Sequence, residues 1–309
     1  MNAFQPDMRV NIGGFQMKNP VMVASGTFGY GSEYAEFVDL NRLGGVAVKS
    51  ITLEPRAGNP PPRIAETPAG MLNTIGLQNV GLEAFLTEKL PYLRQFDTSV
   101  LVNLSGYTVS DYVQLCERLS EAEGVHGLEL NVSCPNVDCG GMQFGVDPQL
   151  LGELVAACRR ATRLPLIVKL SPNVTDIVTL ARVCEEHGAD GLSLINTLLG
   201  MAIDVRTRRA KLSRGVGGLS GPAIRPIAIR MVWEVARTVS LPIIGMGGIT
   251  CTEDALEFIL AGATAIAVGT ANFVNPSVSM EIVSGLEAYF QEHQIASVDK
   301  IVGTVQVDG

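Results

Sequence analysis

The sequence predicts an α/β protein, a closed (β/α)8 TIM barrel with an N-terminal β-hairpin and long loops on its C-terminal face. Three observations lead to this prediction. Eight short runs rich in Val, Ile and Leu alternate with amphipathic helical stretches along the chain. The runs are almost continuously apolar, as in parallel strands that are buried on both faces. Eight such units over roughly 250 residues match the size of a closed barrel.

The predicted strands recur at regular intervals, with a helical stretch after each. An open, doubly wound sheet is the main alternative, but it needs a phosphate-binding fingerprint after its first strand. The segment ASGTFGYG at that place is a poor match to GxGxxG, so the closed barrel is favoured. The eight predicted strands are PVMVASG (20–26), GGVAVKSIT (44–52), SVLVNLSG (99–106), HGLELNVS (126–133), PLIVKLS (165–171), GLSLINT (191–197), PIIGMGGI (242–249) and TAIAVGT (264–270).

Helix boundaries can be predicted from capping residues between these strands. Asp147-Pro148 opens one helix, and Thr252 opens another with a glutamate directly behind it. Gly188 and Gly262 stand just past helix ends, where a left-handed residue is favourable. Before the first strand, MRVNIGGFQMKNP predicts a short hairpin that plugs the barrel bottom. Since no linker interrupts the alternation, we expect a single domain over residues 1–309.

Composition excludes several classes of protein. The chain is 47% hydrophobic and 17% charged, so it can form a large core. Its net charge of −8 argues against a nucleic-acid binder, which would carry a basic surplus. No apolar run approaches the ~18 residues of a membrane span. MNAFQPDMRV does not read as a signal peptide, and the six cysteines form no paired framework, so we expect a cytoplasmic protein with reduced thiols.

Polar residues gather where the predicted strands end, and three long connections, 53–78, 134–147 and 198–221, leave the same face. That face is where barrel enzymes build their sites. Buried amides and ammonium groups are costly without partners, which indicates a bound polar ligand. The glycines of GMGGIT and AVGTAN favour a phosphate site after strands seven and eight. The polar residues at the strand ends are Ser25, Lys49, Ser50, Asn103, Asn131, Cys134, Lys169, Asn196, Thr197 and Thr270.

The residues alone leave several functions open. Lys49 and Lys169 could stabilise negative charge on a reduced flavin ring. Alternatively, Lys169 could form a Schiff base in a phosphate-binding lyase or isomerase, and a non-catalytic ligand-binding barrel is a further possibility. No metal site is expected, because the histidines are scattered and Cys139 has no ligand cluster around it.

Longer motifs cover nearly the whole chain and narrow this choice. The chain resembles the class 1 dihydroorotate dehydrogenases, flavin enzymes of pyrimidine biosynthesis. GLQNVG together with CPNVDCGGMQFG resembles the NAD-dependent subclass 1B, and the fumarate-reducing homodimer of subclass 1A is the alternative. The motifs are Lys49-Ser50, NTIGLQNVG (73–81), NVSCPN (131–136), VKLSPN (168–173), INT (195–197), GGLSGPAI (217–224), GMGGI (245–249) and GT (269–270).

The resemblance implies that dihydroorotate loses a proton from C5 to Cys134, the general base, and a hydride from C6 to N5 of FMN. Electrons would then pass to NAD⁺ through a partner subunit carrying FAD and a [2Fe–2S] cluster, in a dimer of heterodimers. The implied FMN-binding residues are Ser25, Lys49, Ser50, Asn103, Asn131, Lys169, Ile195, Gly221, Gly247, Gly248, Gly269 and Thr270. The implied substrate-binding residues are Lys49, Asn73, Thr74, Ile75, Gly76, Leu77, Asn131, Asn196 and Thr197.

Overall fold

A computed structural model describes residues 4–133 and 144–307 of the chain. The strands are β1 (Val10–Ile12), β2 (Phe15–Met17), β3 (Val21–Val23), β4 (Gly45–Ala47), β5 (Ile64–Thr67), β6 (Gly70–Asn73), β7 (Ser99–Leu104), β8 (Gly127–Asn131), β9 (Leu166–Lys169), β10 (Gly191–Leu194), β11 (Leu198–Met201), β12 (Ile203–Asp204), β13 (Arg209–Ala210), β14 (Val216–Ser220), β15 (Ile243–Met246) and β16 (Ala265–Val268). The helices are α1 (Gly81–Ala84), α2 (Leu90–Leu93), α3 (Val109–Ser120), α4 (Pro148–Ala161), α5 (Ile177–Glu186), α6 (Arg225–Ala236), α7 (Thr252–Ala261), α8 (Ala271–Val274) and α9 (Val278–Glu292), and a π-helical segment (Phe85–Lys89) joins α1 to α2.

Eight of these strands close into the predicted barrel. Around the barrel the order is β3-β4-β7-β8-β9-β10-β15-β16, and β16 returns to β3. All neighbouring pairs are parallel, and the order in space follows the order along the chain. The strands consist mainly of buried Val, Ile, Leu and Ala, because their outer faces pack on helices and their inner faces fill the barrel.

Local sequence accounts for the helix boundaries. Asp147 caps α4, because its Oδ1 accepts the backbone N–H groups of Gln149 at 2.9 Å and Leu150 at 3.0 Å. The predicted starts at Pro148 and Thr252 are confirmed. Gly188 and Gly262 follow helix ends at φ of +93° and +126°, as their positions predict.

The hairpin β1–β2 closes the N-terminal end of the barrel, as predicted. Its inward side chains, Ile12 and Phe15, are fully buried. A methyl group on Gly127, the first residue of β8, would lie 3.0 Å from the Phe15 ring. One on Gly191, the first residue of β10, would lie 2.7 Å from Cγ2 of Ile12. The hairpin side chains therefore occupy space that glycines leave free at the start of two barrel strands.

We expect Phe15→Ala to lower the free energy of unfolding by about 3–5 kcal/mol, because it leaves a cavity under the barrel that rigid strands cannot collapse into. Urea denaturation followed by circular dichroism measures this loss. Phe4→Ala, at an exposed position near the N-terminus, is the control and should change the free energy of unfolding by less than ~0.5 kcal/mol. A similar small loss in Phe15→Ala would contradict the role of the hairpin as a plug.

At the opposite end, two of the predicted long connections form a sheet. Strands β11, β14, β6 and β5 pair antiparallel in that order. The connection 198–221 is therefore hydrogen-bonded to the connection 53–78 through the pair β14–β6. The register places Gly218 opposite Asn73 and Leu198 opposite Leu219. The predicted connection 134–147 lies outside the described residues except for 144–147. The sheet provides a wall above the C-terminal ends of the barrel strands.

Candidate active site

A cavity of about 1710 Å³ opens at the C-terminal ends of the barrel strands. Barrel residues such as Asn131 and Lys169 line its inner part, and Ile64, Leu199 and Val216 of the four-stranded sheet line its outer wall. Pockets for a single small ligand usually enclose ~300–1,000 Å³. The cavity is large enough for two ligands side by side, such as a cofactor and a substrate.

Every residue that the sequence predicts for this site, and that the structure describes, lines this one cavity. Cys134 lies outside the described residues, but Asn131 ends β8 at the cavity and Ser133 also lines it. The lining residues that were predicted are Ser25, Lys49, Ser50, Asn73, Thr74, Ile75, Gly76, Leu77, Asn103, Asn131, Lys169, Ile195, Asn196, Thr197, Gly221, Gly247, Gly248, Gly269 and Thr270.

Two lysines bring positive charge into the cavity. Lys49 follows β4 by two residues, and Lys169 is the last residue of β9, where its side chain is only 5% exposed. Neither ammonium group forms a hydrogen bond or an ion pair with the described part of the chain. Burial lowers the pKa of Lys49 below its ordinary value, and the nearby Lys169 charge lowers it further. Two neighbouring, unneutralised cations favour an anionic ligand or a ligand that becomes negative during reaction.

Asn73, Asn131 and Asn196 bring amide groups into the cavity, and the amides of Asn131 and Asn196 lie next to each other. Nδ2 of Asn196 lies 3.4 Å from Oδ1 of Asn131, at the edge of hydrogen-bonding distance, and Oδ1 of Asn196 accepts the N–H of Thr197 at 2.8 Å. Asn73 reaches across from β6 and donates to the Gly218 carbonyl at 3.2 Å. Each amide offers both a donor and an acceptor, which suits a planar ring with alternating N–H and C=O groups.

The tip of β8 is held in place from outside the barrel. The Tyr112 hydroxyl donates to the backbone carbonyl of Asn131 at 2.7 Å, and the Tyr112 ring packs edge-on against Phe144. Tyr112 is almost fully buried, so the bond is shielded from water. This contact fixes the backbone of Asn131, two residues before Ser133.

Glycines form a narrow cradle where β14, β15 and β16 end. Gly221 and Gly248 have φ of +98° and +82°, which side-chain-bearing residues rarely adopt. A methyl group on Gly248 would lie 2.8 Å from the carbonyl oxygen of Gly221, so only glycine fits. Next to them, Thr270 donates through Oγ1 to Oγ of Ser220 at 2.7 Å. Exposed backbone and hydroxyl groups in such a cradle suit a phosphate group.

Sequence reasoning did not single out two residues that support the site. Asn173 donates to the carbonyl of Thr197 at 2.9 Å and accepts the N–H of Leu199 at 2.8 Å, so it connects the end of β9 to β11. Ser220 lines the cavity beside the cradle. Asn173 ends the motif VKLSPN, and that motif was the available signal for it.

The described ranges, 4–133 and 144–307, contain no group of three or more His, Cys, Asp or Glu side chains able to hold a metal ion. They also contain no helix of sufficient length and apolarity to cross a membrane.

Comparisons with known proteins all match this chain to the same family. The family model described as dihydroorotate dehydrogenase matches residues 7–290. A relative from Pelobacter propionicus, named dihydroorotate dehydrogenase B (NAD(+)), catalytic subunit, is 58% identical over 98% of this chain and 99% of its own. A relative from Trichlorobacter lovleyi with the same name is 56% identical over the same shares.

A solved structure gives the same fold at lower identity. The dihydroorotate dehydrogenase from Eimeria tenella, crystallised with ferulenol, has a TM-score of 0.80 over 98% of this chain and 90% of its own. Its sequence is 23% identical, so this likeness supports the fold alone.

Proposed function

Because the chain belongs to the dihydroorotate dehydrogenase family, we propose that it oxidises dihydroorotate to orotate in de novo pyrimidine (UMP) biosynthesis, with FMN in its cavity and NAD⁺ as final acceptor. The main support is that one cavity gathers all of the predicted site residues that the structure describes, including Lys49 and Lys169, which have no ionic partner within residues 4–133 and 144–307. Near-full-length relatives named as NAD(+) catalytic subunits support the choice of acceptor.

The described residues fit FMN. Gly221, Gly247, Gly248 and Gly269 line the cavity, and without side chains their backbone can approach a phosphate closely. The remaining residues that would hold the cofactor are Ser25, Lys49, Ser50, Asn103, Asn131, Lys169, Ile195 and Thr270. Bound FMN supplies the hydride acceptor for the reaction. Lys49 and Lys169 stabilise the negative charge that develops when the hydride is accepted.

Dihydroorotate carries a carboxylate and ring amides, and the described residues offer partners for both. Asn73, Asn131, Asn196 and Thr197 supply donors and acceptors at the cavity wall, and the segment 74–77 lines the same side. Lys49 attracts the carboxylate, because its own charge has no partner among the described residues. These contacts hold the substrate ring in one orientation, which aligns its C5 and C6 hydrogens for removal.

Cys134 takes the proton from C5 of the substrate as the C5–C6 double bond forms. A thiolate is suited to this step, because the ordinary thiol pKa of ~8.5 lies close to neutral pH and neighbouring positive charge lowers it. The residue lies outside the described part of the chain, so its role rests on its position in the motif NVSCPN and on the described neighbours Asn131 and Ser133.

The electrons leave through a second subunit. The relatives' name, catalytic subunit, implies such a partner, which we propose carries FAD and a [2Fe–2S] cluster in a dimer of heterodimers.

We place the enzyme in the cytoplasm. The described cysteines Cys116, Cys158, Cys184 and Cys251 form no disulfide with one another. Cysteines without disulfides are usual in proteins of a reducing compartment. We also propose that residues 1–309 form a single flavin-binding domain.

Anaerobic titration of the purified yellow protein with dihydroorotate tests the proposal. We expect the flavin band near ~450 nm to bleach, and NAD⁺ to restore it only after the partner subunit is added. Restoration by fumarate with the isolated chain would instead indicate the subclass 1A reaction. A colourless protein that traps its substrate with borohydride would indicate a Schiff-base lyase or isomerase and contradict the proposal.

A further inference from the structure

A buried carboxylate lies beneath the cavity and is not among the residues assigned above. Glu129, in the middle of β8, is 1% exposed and does not line the cavity. Its Oε2 accepts a hydrogen bond from Nδ2 of Asn103 at 2.5 Å, and its Oε1 accepts one from Oγ of Ser193 at 2.6 Å. Asn103 in turn accepts through Oδ1 from Oγ of Ser50. Ser50 and Asn103 do line the cavity, so a chain of hydrogen bonds links the carboxylate to the ligand space.

The direction of each bond in this chain follows from the carboxylate. An ionised carboxylate can only accept, so the amide must turn its NH₂ group toward Glu129. The amide oxygen of Asn103 then faces Ser50, and the Ser50 hydroxyl must use its single proton to donate to that oxygen. Toward the cavity, the Ser50 hydroxyl can then act only as a hydrogen-bond acceptor. An amide at position 129 could donate as well as accept, and it would permit Asn103 to take either orientation.

We propose that Glu129 is a positioning residue that fixes Asn103 and Ser50 in one orientation, so that Ser50 presents an acceptor to an N–H group of the flavin ring. The inference rests on the proposed function, because it needs a flavin in the cavity. It assigns no contact between Glu129 and any ligand. The carboxylate acts through Asn103 and adds a negative charge behind the ring, on the barrel side of the cavity.

Glu129→Gln tests this inference while conserving side-chain volume. FMN is added to apoprotein to measure Kd, and the midpoint potential of the bound flavin is measured anaerobically. We expect a Kd about 10- to 100-fold higher than in the wild type, the loss expected when hydrogen bonds of a charged acceptor are disturbed. We also expect a higher midpoint potential, because one negative charge is removed from beside a group that gains negative charge on reduction.

Glu153→Gln is the matched control. Glu153 is exposed on α4 and does not line the cavity, so its substitution removes the same charge without changing the ligand space. Kd and midpoint potential should stay at wild-type values. If Glu129→Gln also keeps both wild-type values, the inference is wrong.

A swap of acid and amide keeps the inference testable if Glu129→Gln fails to fold. Asn103→Asp alone places two carboxylates in contact and should abolish FMN binding or folding. In the double variant Asn103→Asp/Glu129→Gln, the new amide donates to the new carboxylate, which still accepts from Ser50. We expect FMN to bind at least about tenfold more tightly to the double variant than to Asn103→Asp. A double variant no better than Asn103→Asp, in folding and in FMN binding, would overturn the inference.

These measurements separate the two proposals. FMN binding and midpoint potential require no dihydroorotate, so they report on Glu129 even if the enzyme acts on another substrate. Failure of dihydroorotate to bleach the wild-type flavin would reject the proposed function. If dihydroorotate bleaches the wild-type flavin, and Glu129→Gln keeps the wild-type Kd and midpoint potential, only the role of Glu129 is rejected.

Discussion

Cys134→Ser is expected to slow reduction of the flavin by dihydroorotate about 10²- to 10⁴-fold, the usual contribution of a general base. A serine hydroxyl is a far weaker proton acceptor at neutral pH than a thiolate, so the C5 proton loses its acceptor. FMN should remain bound, because the residues that we propose to hold it are unchanged. Anaerobic stopped-flow absorbance at the flavin band measures the rate, and the spectrum before mixing reports the FMN content.

The neighbouring Cys139 provides the matched control within the same segment. Cys139→Ser makes the same chemical change five residues further along and should leave the reduction rate within about twofold of the wild type, a difference too small for a catalytic base. If Cys134→Ser also retains the wild-type rate, the thiol is not the base. Equal losses in both variants would indicate damage to the segment rather than removal of a proton acceptor.

Lys49→Met is expected to have opposite effects on stability and on activity. In the apoprotein the substitution removes a partly buried cation without a described partner, so the free energy of unfolding at pH 7 should rise by about 1 kcal/mol, the low end of the cost of an unpaired polar group. Flavin reduction should slow about 10²- to 10³-fold, because the cation no longer stabilises developing negative charge. Denaturant unfolding of apoprotein and stopped-flow reduction of holoprotein measure the two effects.

The stability difference should also depend on pH. The pKa of Lys49 is lowered in the folded protein from an ordinary value of 10.5. At pH values between the folded and the unfolded pKa of Lys49, the unfolded chain binds more protons than the folded one. Wild-type stability therefore rises with pH relative to that of Lys49→Met. The advantage of the variant is therefore full below the folded pKa and disappears above about 10.5. Lys211→Met, at an exposed position, should show neither effect, and a less stable Lys49→Met apoprotein would contradict this account.

The barrel and its rim could be predicted because both leave local signals. Each strand is a short apolar run, and the polar residue that ends it, such as Lys169 after LIV or Asn131 after LEL, marks the rim. Strand ends were less predictable. The run predicted as 44–52 is a regular strand only at Gly45–Ala47, and its pairing with β7 is interrupted before it resumes at Ile51, which bridges to Leu104. Lys49 and Ser50 lie in this interruption.

The sheet over the cavity was not predicted, because its pairing is distant in sequence. Residues of β14 pair with β6 about 145 positions away, as in the Gly218–Asn73 pair, and no local pattern reports such a contact. The hairpin that forms half of this sheet can be recognised from the sequence. The segment IAETPAGMLN has a Pro-Ala-Gly turn between two short runs, as in the hairpin that β5 and β6 form.

The network under the cavity was also hidden from sequence reasoning. Glu129 is one charged residue within an otherwise apolar strand, and its partners Asn103 and Ser193 come from β7 and β10. Only closure of the barrel brings these three strands around one interior. The ligand-facing polar residues were recognisable from their positions, whereas the residues that orient them required the structure.

A crystal structure of the chain with FMN and orotate tests the central claim most directly. We predict the flavin ring inside the cavity beside Lys49 and Lys169, its phosphate in the glycine cradle, and orotate against Asn73, Asn131 and Asn196. Sγ of Cys134 should lie about 3.5 Å from C5 of orotate, a distance suited to proton transfer. A flavin ring bound outside this cavity, or a Cys134 thiol directed away from orotate into the apolar interior, would contradict the claim.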